Sequence, residues 1–276
     1  KYNIAVVGAT GMVGRKLLQV LTERNLPAEN FYFYASAKSA GTKISFLNKE
    51  YEIIELKKEN IIDKKIDIAL FSAGGTVSKM FAPVFVENGA VVIDNSSAWR
   101  MDKDVPLVVP EVNPEEIKNH KGIIANPNCS TIQAVVALKP LHDEFKIKRI
   151  VYSTYQAVSG AGQQGFNDLE EGVKGNPPKK FPYPIFANVI PHIDVFLDNG
   201  YTKEEEKMIL ETQKILGDNT IKITATTARV PVFHGHSKSI NVEFYKPVNM
   251  DKVRELLKST KGIVLMDDTK NNVYPM

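Results

Sequence analysis

The chain has 276 residues but only one cysteine and one tryptophan. A lone cysteine excludes an internal disulfide and any paired-cysteine metal knuckle, and it fits a reducing compartment. An excess of one charge is also missing, since 35 Lys+Arg against 32 Asp+Glu leave a formal charge of +3. That balance, with no basic block, argues against a nucleic-acid surface. No apolar run approaches membrane-spanning length, and the opening KYNIAVVGATGMVG reads directly into structure rather than as a secretory leader. The expectation is a cytoplasmic protein. The five histidines include no HExxH, and His234 and His236 with one cysteine make no convincing ligand set, so no metal is expected.

What is present is an ordinary globular composition, 43% hydrophobic and 24% charged, long enough for one large or two ordinary domains. Strand-like apolar runs alternate with helical spacing. Residues 2–8 read as a strand and 12–24 as a helix; 31–36, 51–56, 67–73 and 90–96 read as further strands. Residues 77–89 have the length of a crossover helix, in which Pro83 suggests a kink or a late start. Apolar strands joined in this way form a largely parallel sheet covered on both faces. After about residue 128 the pattern changes. The proline-rich 176–191 cannot be continuous helix, whereas 202–216 is a helix with a threonine cap and an acidic first turn. Residues 221–233 and 239–246 read as antiparallel strands of a second sheet, followed by a helix at 251–260 and a strand at 262–268. The fold class is therefore α/β: a Rossmann-like parallel-sheet domain followed by an α+β domain with a mixed, largely antiparallel sheet. The last residues, NNVYPM, supply no closing element, so the C-terminus reads as incomplete.

In VVGATGMVG, Gly8, Gly11 and Gly14 stand between a strand and a helix. Gly8 suits a tight turn, Gly11 a close backbone approach to a pyrophosphate, and Gly14 helix-on-sheet packing. Glycines also end strands for purely structural reasons, but the strand and helix flank them as a dinucleotide site requires. The second strand ends without the acid that favours NAD. It offers Ser36, Lys38 and Ser39 instead, two hydroxyls and an ammonium suited to a 2′-phosphate, which points to NADP. The plainer alternative is a solvated loop.

A lone cysteine is most often a small buried hydrophobe. In ANPNCST, however, an apolar strand ends in Asn-Pro-Asn and a helix over 130–141 follows. Cys129 then sits at a helix start, where the dipole favours thiolate. The same helix-terminal N–H groups, with Asn128 nearby, are candidate donors to an oxyanion.

GATGMVG (8–14), SAGG (72–75), DNSSAWR (94–100), VPEVN (109–113), NPNCST (126–131), YQAVSGAG (155–162), EEEK (204–207) and RVPVFHGHS (229–237) occur in one order. Together they resemble the aspartate-β-semialdehyde dehydrogenase family over essentially the whole chain. The resemblance implies reduction of L-4-aspartyl phosphate by NADPH to L-aspartate 4-semialdehyde and phosphate, a step supplying lysine, threonine and methionine synthesis. It implies Cys129 as nucleophile, Gln156 as the residue orienting the acyl group and His236 as acid/base. It pairs Arg229 with the substrate carboxylate, Glu204 with the ammonium, and Arg100, Asn128 and Lys207 with phosphate. Gly8, Thr10, Gly11, Met12 and Val13 match the pyrophosphate loop, Ser36, Lys38 and Ser39 the adenosine-phosphate pocket, and Ser72, Gly74, Gly160 and Gly162 further cofactor contacts. The family often has arginine at the position of Lys38, so the grip on a 2′-phosphate is softer here.

The resemblance also implies an NADP-binding domain over 1–128 and a catalytic and dimerisation domain over 129–276, assembled as a homodimer or tetramer. It implies a C-terminal helix returning to the cofactor domain, which this sequence lacks. By spacing alone His234 and His236 share a strand face, and Glu204 with Lys207 reads equally as an exposed ion pair, with Glu205 as a fallback for the ammonium. Three rivals stand beside this reading: an N-acetyl-glutamyl-phosphate reductase, a glyceraldehyde-3-phosphate dehydrogenase, and a nucleotide sensor on a retired scaffold. The first gives Glu204 little purpose, the second wants an acid after the second strand, and the third predicts cofactor binding without turnover.

Overall fold

The computed structural model describes residues 1–276. They form two compact units: Lys1–Val108 with Pro114–Pro127, and Val109–Asn113 with Asn128–Met276. The short segment Val109–Asn113 thus groups with the second unit.

The first unit contains β1 (Tyr2–Val7), α1 (Met12–Arg24), β2 (Ala28–Ala35), β3 (Lys43–Phe46), β4 (Lys49–Glu52), β5 (Ile54–Glu55), α2 (Glu59–Ile62), β6 (Ile68–Phe71), α3 (Gly75–Glu87), β7 (Val91–Asp94) and β8 (Ile123–Ala125). Six of these strands form one parallel sheet in the order β5-β2-β1-β6-β7-β8. Ala5, Val6 and Val7 are fully buried, as a strand covered on both faces requires. The chain leaves β1 toward β2 on one side and later returns to β6 on the other, so the order reverses between β1 and β6. Ligands of open α/β sheets bind at such a switch point. The single strand expected over 51–56 divides: β4 pairs antiparallel with β3 as a small hairpin, while β5 joins the main sheet. Phe31, Phe33, Phe46 and Tyr51 interlock where that hairpin covers the sheet, with edge-on ring contacts of 4.8–5.4 Å. Helix α3 begins earlier than expected and runs through Pro83. The missing N–H costs one helical bond, which the packing of Ala82 and Phe85, both fully buried, offsets.

The second unit contains α4 (Cys129–Phe145), β9 (Ile147–Gln156), α5 (Gly162–Val173), α6 (Lys203–Leu216), β10 (Lys222–Arg229), β11 (His236–Phe244) and α7 (Met250–Ser259). Its three-stranded sheet is mixed. β9 is central, with β10 parallel on one side and β11 antiparallel on the other. The expected strands over 221–233 and 239–246 therefore do not pair with each other; both pair with β9, which alternation in IKRIVYSTYQ signals but the sequence reading passed over. Residues 262–268 are not a strand: Val264 is 81% exposed, and an apolar run with no ladder partner has nothing to hold it extended. The core lies between the sheet and two helices. Ala134 and Leu138 of α4 and Met208 of α6 meet Ile150, Tyr152 and Ala225. Of these, Leu138, Met208 and Ile150 each contribute about 1.5–3 kcal/mol by their burial. Helix α6 starts on a capping box, in which Thr202 accepts from the Glu205 N–H and Glu205 accepts from the Thr202 N–H.

Candidate functional site

In the first unit, α1 opens at Gly11 with no side-chain cap, so its first-turn N–H groups point out beside the switch point. Gly8 has φ +86°, and a Cβ there would lie 2.4 Å from the Ser72 carbonyl oxygen. Only glycine lets the two strand ends approach this closely. Gly11 and Val13 are exposed, and Thr10 and Met12 are half-buried. Gly74, the residue before α3, also has positive φ and faces open space. A narrow backbone cradle with an uncapped helix start fits a dinucleotide pyrophosphate. Ser36 and Lys38 are exposed in the turn after β2, and Ser39 is half-buried there.

Arg100 is 7% exposed. Its Nε donates to the Asn126 carbonyl and its Nη2 to the Asn95 carbonyl, each at 2.9 Å. The Asn126 side chain bonds Asn95 at 2.7 Å, so the guanidinium is built into the loops that end β7 and β8. This is no solvated loop arginine.

In the second unit Cys129 is exposed and is the first residue of α4. Asn128 caps that helix, its Oδ1 accepting from the N–H groups of Ser130 and Thr131 at 2.9 and 3.3 Å. The first-turn donors assigned above to an oxyanion are therefore turned inward. The Asn128 amide is equally engaged, since Nδ2 donates to Glu204 Oε1 at 2.9 Å. Its backbone N–H donates to Glu211 Oε2 at 2.6 Å. Glu211, 1% exposed, escaped the sequence reading. The signal was available: seven residues after Glu204, it shares that residue's helix face.

Arg229, Gln156 and His236 are register partners across β10, β9 and β11. They point to the face covered by the helices: alternate residues inward from them are buried on β9 and β10, and Ile240, Val242 and Phe244 of β11 pack against the same core. Gln156, 1% exposed, donates weakly to Thr154 at 3.3 Å and to Glu204 at 3.4 Å. Arg229 donates through Nη1 to the Ala157 carbonyl at 2.7 Å, and its buried Nε has no partner. Burial pushes the Arg229 pKa down, while Glu204 and Cys129 oppose this. The Ala157 N–H donates to His236 Nδ1 at 3.0 Å, so the neutral ring carries its proton on Nε2. Burial foremost, then the cations Lys238 and Arg229, hold His236 below the ordinary histidine range. A Cβ on Gly160 would meet Arg229 Nη1 at 2.7 Å and His236 Nε2 at 3.6 Å, so that glycine leaves the two side chains their space. Gly162, with φ +74°, begins α5. His234, the alternative histidine, is exposed beside the Phe166 ring.

Glu204 is 6% exposed, so the exposed ion pair that spacing allowed is not what forms. Lys207 reaches Asp194 at 2.8 Å and Glu204 at 3.3 Å. Glu205, the fallback carboxylate, accepts from the N–H groups of Thr202 and Thr227 and has structural work only.

A six-stranded parallel sheet with a glycine cradle at its switch point, in a chain whose second unit bears an exposed thiol and buried ionic groups, defines a Rossmann-type oxidoreductase. Residues 3–120 match the semialdehyde dehydrogenase NAD-binding domain and residues 138–276 the semialdehyde dehydrogenase dimerisation domain. Aspartate-semialdehyde dehydrogenase of Aquifex aeolicus is 56% identical over 284 residues, covering 100% of this chain and 83% of that protein. The crystal structure of aspartate semialdehyde dehydrogenase II from Vibrio cholerae complexed with ASA matches at TM-score 0.90 and 45% identity, over 95% of this chain and 80% of that one. The Candida albicans aspartate semialdehyde dehydrogenase with NADP matches at TM-score 0.72 and 29% identity, over 94% and 76%. The chain belongs to the aspartate-semialdehyde dehydrogenase family, and its first domain is a nucleotide-cofactor-binding domain. No helix is long and apolar enough to cross a membrane.

Proposed function

We propose that the chain converts L-4-aspartyl phosphate and NADPH reversibly to L-aspartate 4-semialdehyde and phosphate through a thioester on Cys129, in the synthesis of lysine, threonine and methionine. The observation that carries this reading is the Arg229–Gln156–His236 row, in the same unit as an exposed cysteine whose charge Arg229 feels.

The Cys129 thiolate attacks the acyl carbon. A carbon–sulfur bond forms, the carbon–oxygen bond to phosphate breaks, and phosphate leaves with the electron pair and takes up a proton. Arg229 takes the substrate carboxylate, for which its unpartnered Nε is a ready donor. Glu204 takes the ammonium, exchanging a share of its bonds to Asn128 and Gln156. Arg100, Asn128 and Lys207 take the phosphate, and Gln156 orients the acyl carbonyl. NADPH would be held by Gly8, Thr10, Gly11, Met12, Val13, Ser36, Lys38, Ser39, Ser72, Gly74, Gly160 and Gly162, and would supply the hydride when bound, leaving as NADP. The tetrahedral oxyanion on Cys129 then collapses to aldehyde and expels the thiolate, with no proton needed at sulfur. With Nδ1 occupied by Ala157, His236 offers Nε2–H to that oxyanion or to the thiolate. Domains 1–128 and 129–276 divide into cofactor binding and catalysis with homodimerisation, and the enzyme works in the cytoplasm.

The test is a steady-state assay with L-aspartate 4-semialdehyde, phosphate and NADP, set against N-acetylglutamate semialdehyde. Turnover of the first substrate alone is expected, and Cys129→Ser abolishes it while NADP still binds. Preference for the acetylated substrate, or near-normal turnover by the serine variant, overturns the reading.

A further inference from the structure

One charged side chain on the catalytic face is not used above. β11 alternates, and His236, Lys238, Ile240, Val242 and Phe244 all face the helices. Ile240, Val242 and Phe244 pack against the core. Lys238 therefore occupies the layer between that core and the Arg229–Gln156–His236 row. Its register partner on β9 is Thr154, whose partner on β10 is Thr227. An apolar residue would serve a purely structural position in this layer. Lysine instead brings a charge that must be desolvated.

The Lys238 ammonium donates to the side chain of Gln133. Gln133 lies four residues after Cys129 on α4, on the same helix face and one turn along. The lysine is thus held beside the thiol's helix by a neutral amide rather than a carboxylate, so its charge is not cancelled at source. Burial pushes its pKa down to about 8, and the charge of Cys129 is what opposes that shift.

We infer that Lys238, positioned by Gln133, is an electrostatic positioning residue that stabilises the Cys129 thiolate. A cation near a thiol favours its ionised form and lowers its pKa. The other ionic groups at this end of the sheet are Arg229 from β10, His236 from β11, and Glu204, Glu205, Lys207 and Glu211 from α6, with Glu205 on the Thr227 N–H, Lys207 on Glu204 and Glu211 on the Asn128 N–H next to the thiol. Arg229 is directed to Ala157, and His236 is held largely neutral by burial. Glu204 carries the opposite charge and works against the thiolate. Like Arg229, Lys238 feels the charge of Cys129, and its ammonium is bound to the neutral Gln133 amide on the thiol's own helix rather than to an acid. This role rests on Cys129 being the nucleophile proposed above.

The test is the rate of Cys129 alkylation by iodoacetamide, followed by intact mass across pH 5.5–10, in the full-length protein. Lys238→Met is expected to raise the apparent thiol pKa by about one unit and slow labelling at pH 7 by about tenfold. The difference should close above about pH 9, where the thiol ionises unaided. Lys238→Arg should restore most of the rate, and Gln133→Leu should give a smaller shift in the same direction. Lys238→Gln, a polar replacement for a half-buried site, provides the same reading if the methionine variant does not fold. Superimposable profiles for the wild type and a folded neutral variant overturn the inference. Retained turnover by Cys129→Ser would instead remove the nucleophile assignment, so the two failures are distinguishable.

Discussion

Gln156 stands directly opposite His236 across the β9–β11 ladder, and the residue after it, Ala157, donates its N–H to His236 Nδ1. The position of the imidazole and its tautomer are thus set by one strand end. Arg229 completes the row from the parallel neighbour and donates to the carbonyl of the same Ala157. One peptide segment therefore fixes an arginine and a histidine through opposite ends of its hydrogen-bonding capacity. Backbone groups have no rotamers to lose, so they hold both side chains at little entropic cost.

Gly160 is the tightest point of this arrangement. Gly160→Ala would place a methyl 2.7 Å from Arg229 Nη1, and the guanidinium must move. Steady-state kinetics should show KM for the aldehyde substrate raised by about tenfold, equivalent to about 1.4 kcal/mol, with little change in Tm. An unchanged KM would show that the arginine has slack.

Glu211 supports the turn before Cys129 by accepting from the Asn128 N–H. Glu211→Ala leaves that buried donor unsatisfied, at about 1–3 kcal/mol. Urea denaturation should record this loss, and iodoacetamide labelling of Cys129 should change with it. Glu211→Gln keeps an acceptor and should recover most of both. Equal damage from the two substitutions would refute the hydrogen bond as the cause.

Lys38 is exposed in the turn after β2, where the proposed function places the 2′-phosphate. Lys38→Glu should lower kcat/KM for NADPH about tenfold more than for NADH, since an acid repels a 2′-phosphate and accepts from ribose hydroxyls. If the ratio of the two cofactors does not move, the turn does not read the phosphate.

His142, near the end of α4, accepts from the Ile147 N–H at 3.2 Å and is 6% exposed. Burial first, and Lys146 second, hold its pKa below the ordinary value; Asp218, 3.8 Å away, opposes them. The unfolded histidine titrates near about 6.5 and the folded one lower. Its contribution to stability is therefore complete above about pH 6.5 and is lost as pH falls toward the folded value. Stability to urea should fall between pH 7.5 and 5, and His142→Asn should flatten that fall. An identical slope in the variant would assign the acid sensitivity elsewhere.

The sequence alone determined the elements whose signals are local. α1 follows from glycine spacing, α6 from its threonine cap and acidic first turn, and the parallel sheet from apolar runs separated by helices. It also marked Cys129 as the start of a helix, because an Asn-Pro-Asn turn between a strand and a helical pattern leaves few other conformations. Only the tertiary structure decided what depends on pairing partners far apart in the chain. It made β9 the centre of the second sheet, left 262–268 without a ladder, and put His236 rather than His234 in register with Gln156. It also turned the first-turn N–H groups of α4 inward to Asn128 and brought Lys238 beside the thiol's helix. Local propensity specifies where a backbone bends. Which side chains meet is set by register and burial, and these exist only once the strands have paired.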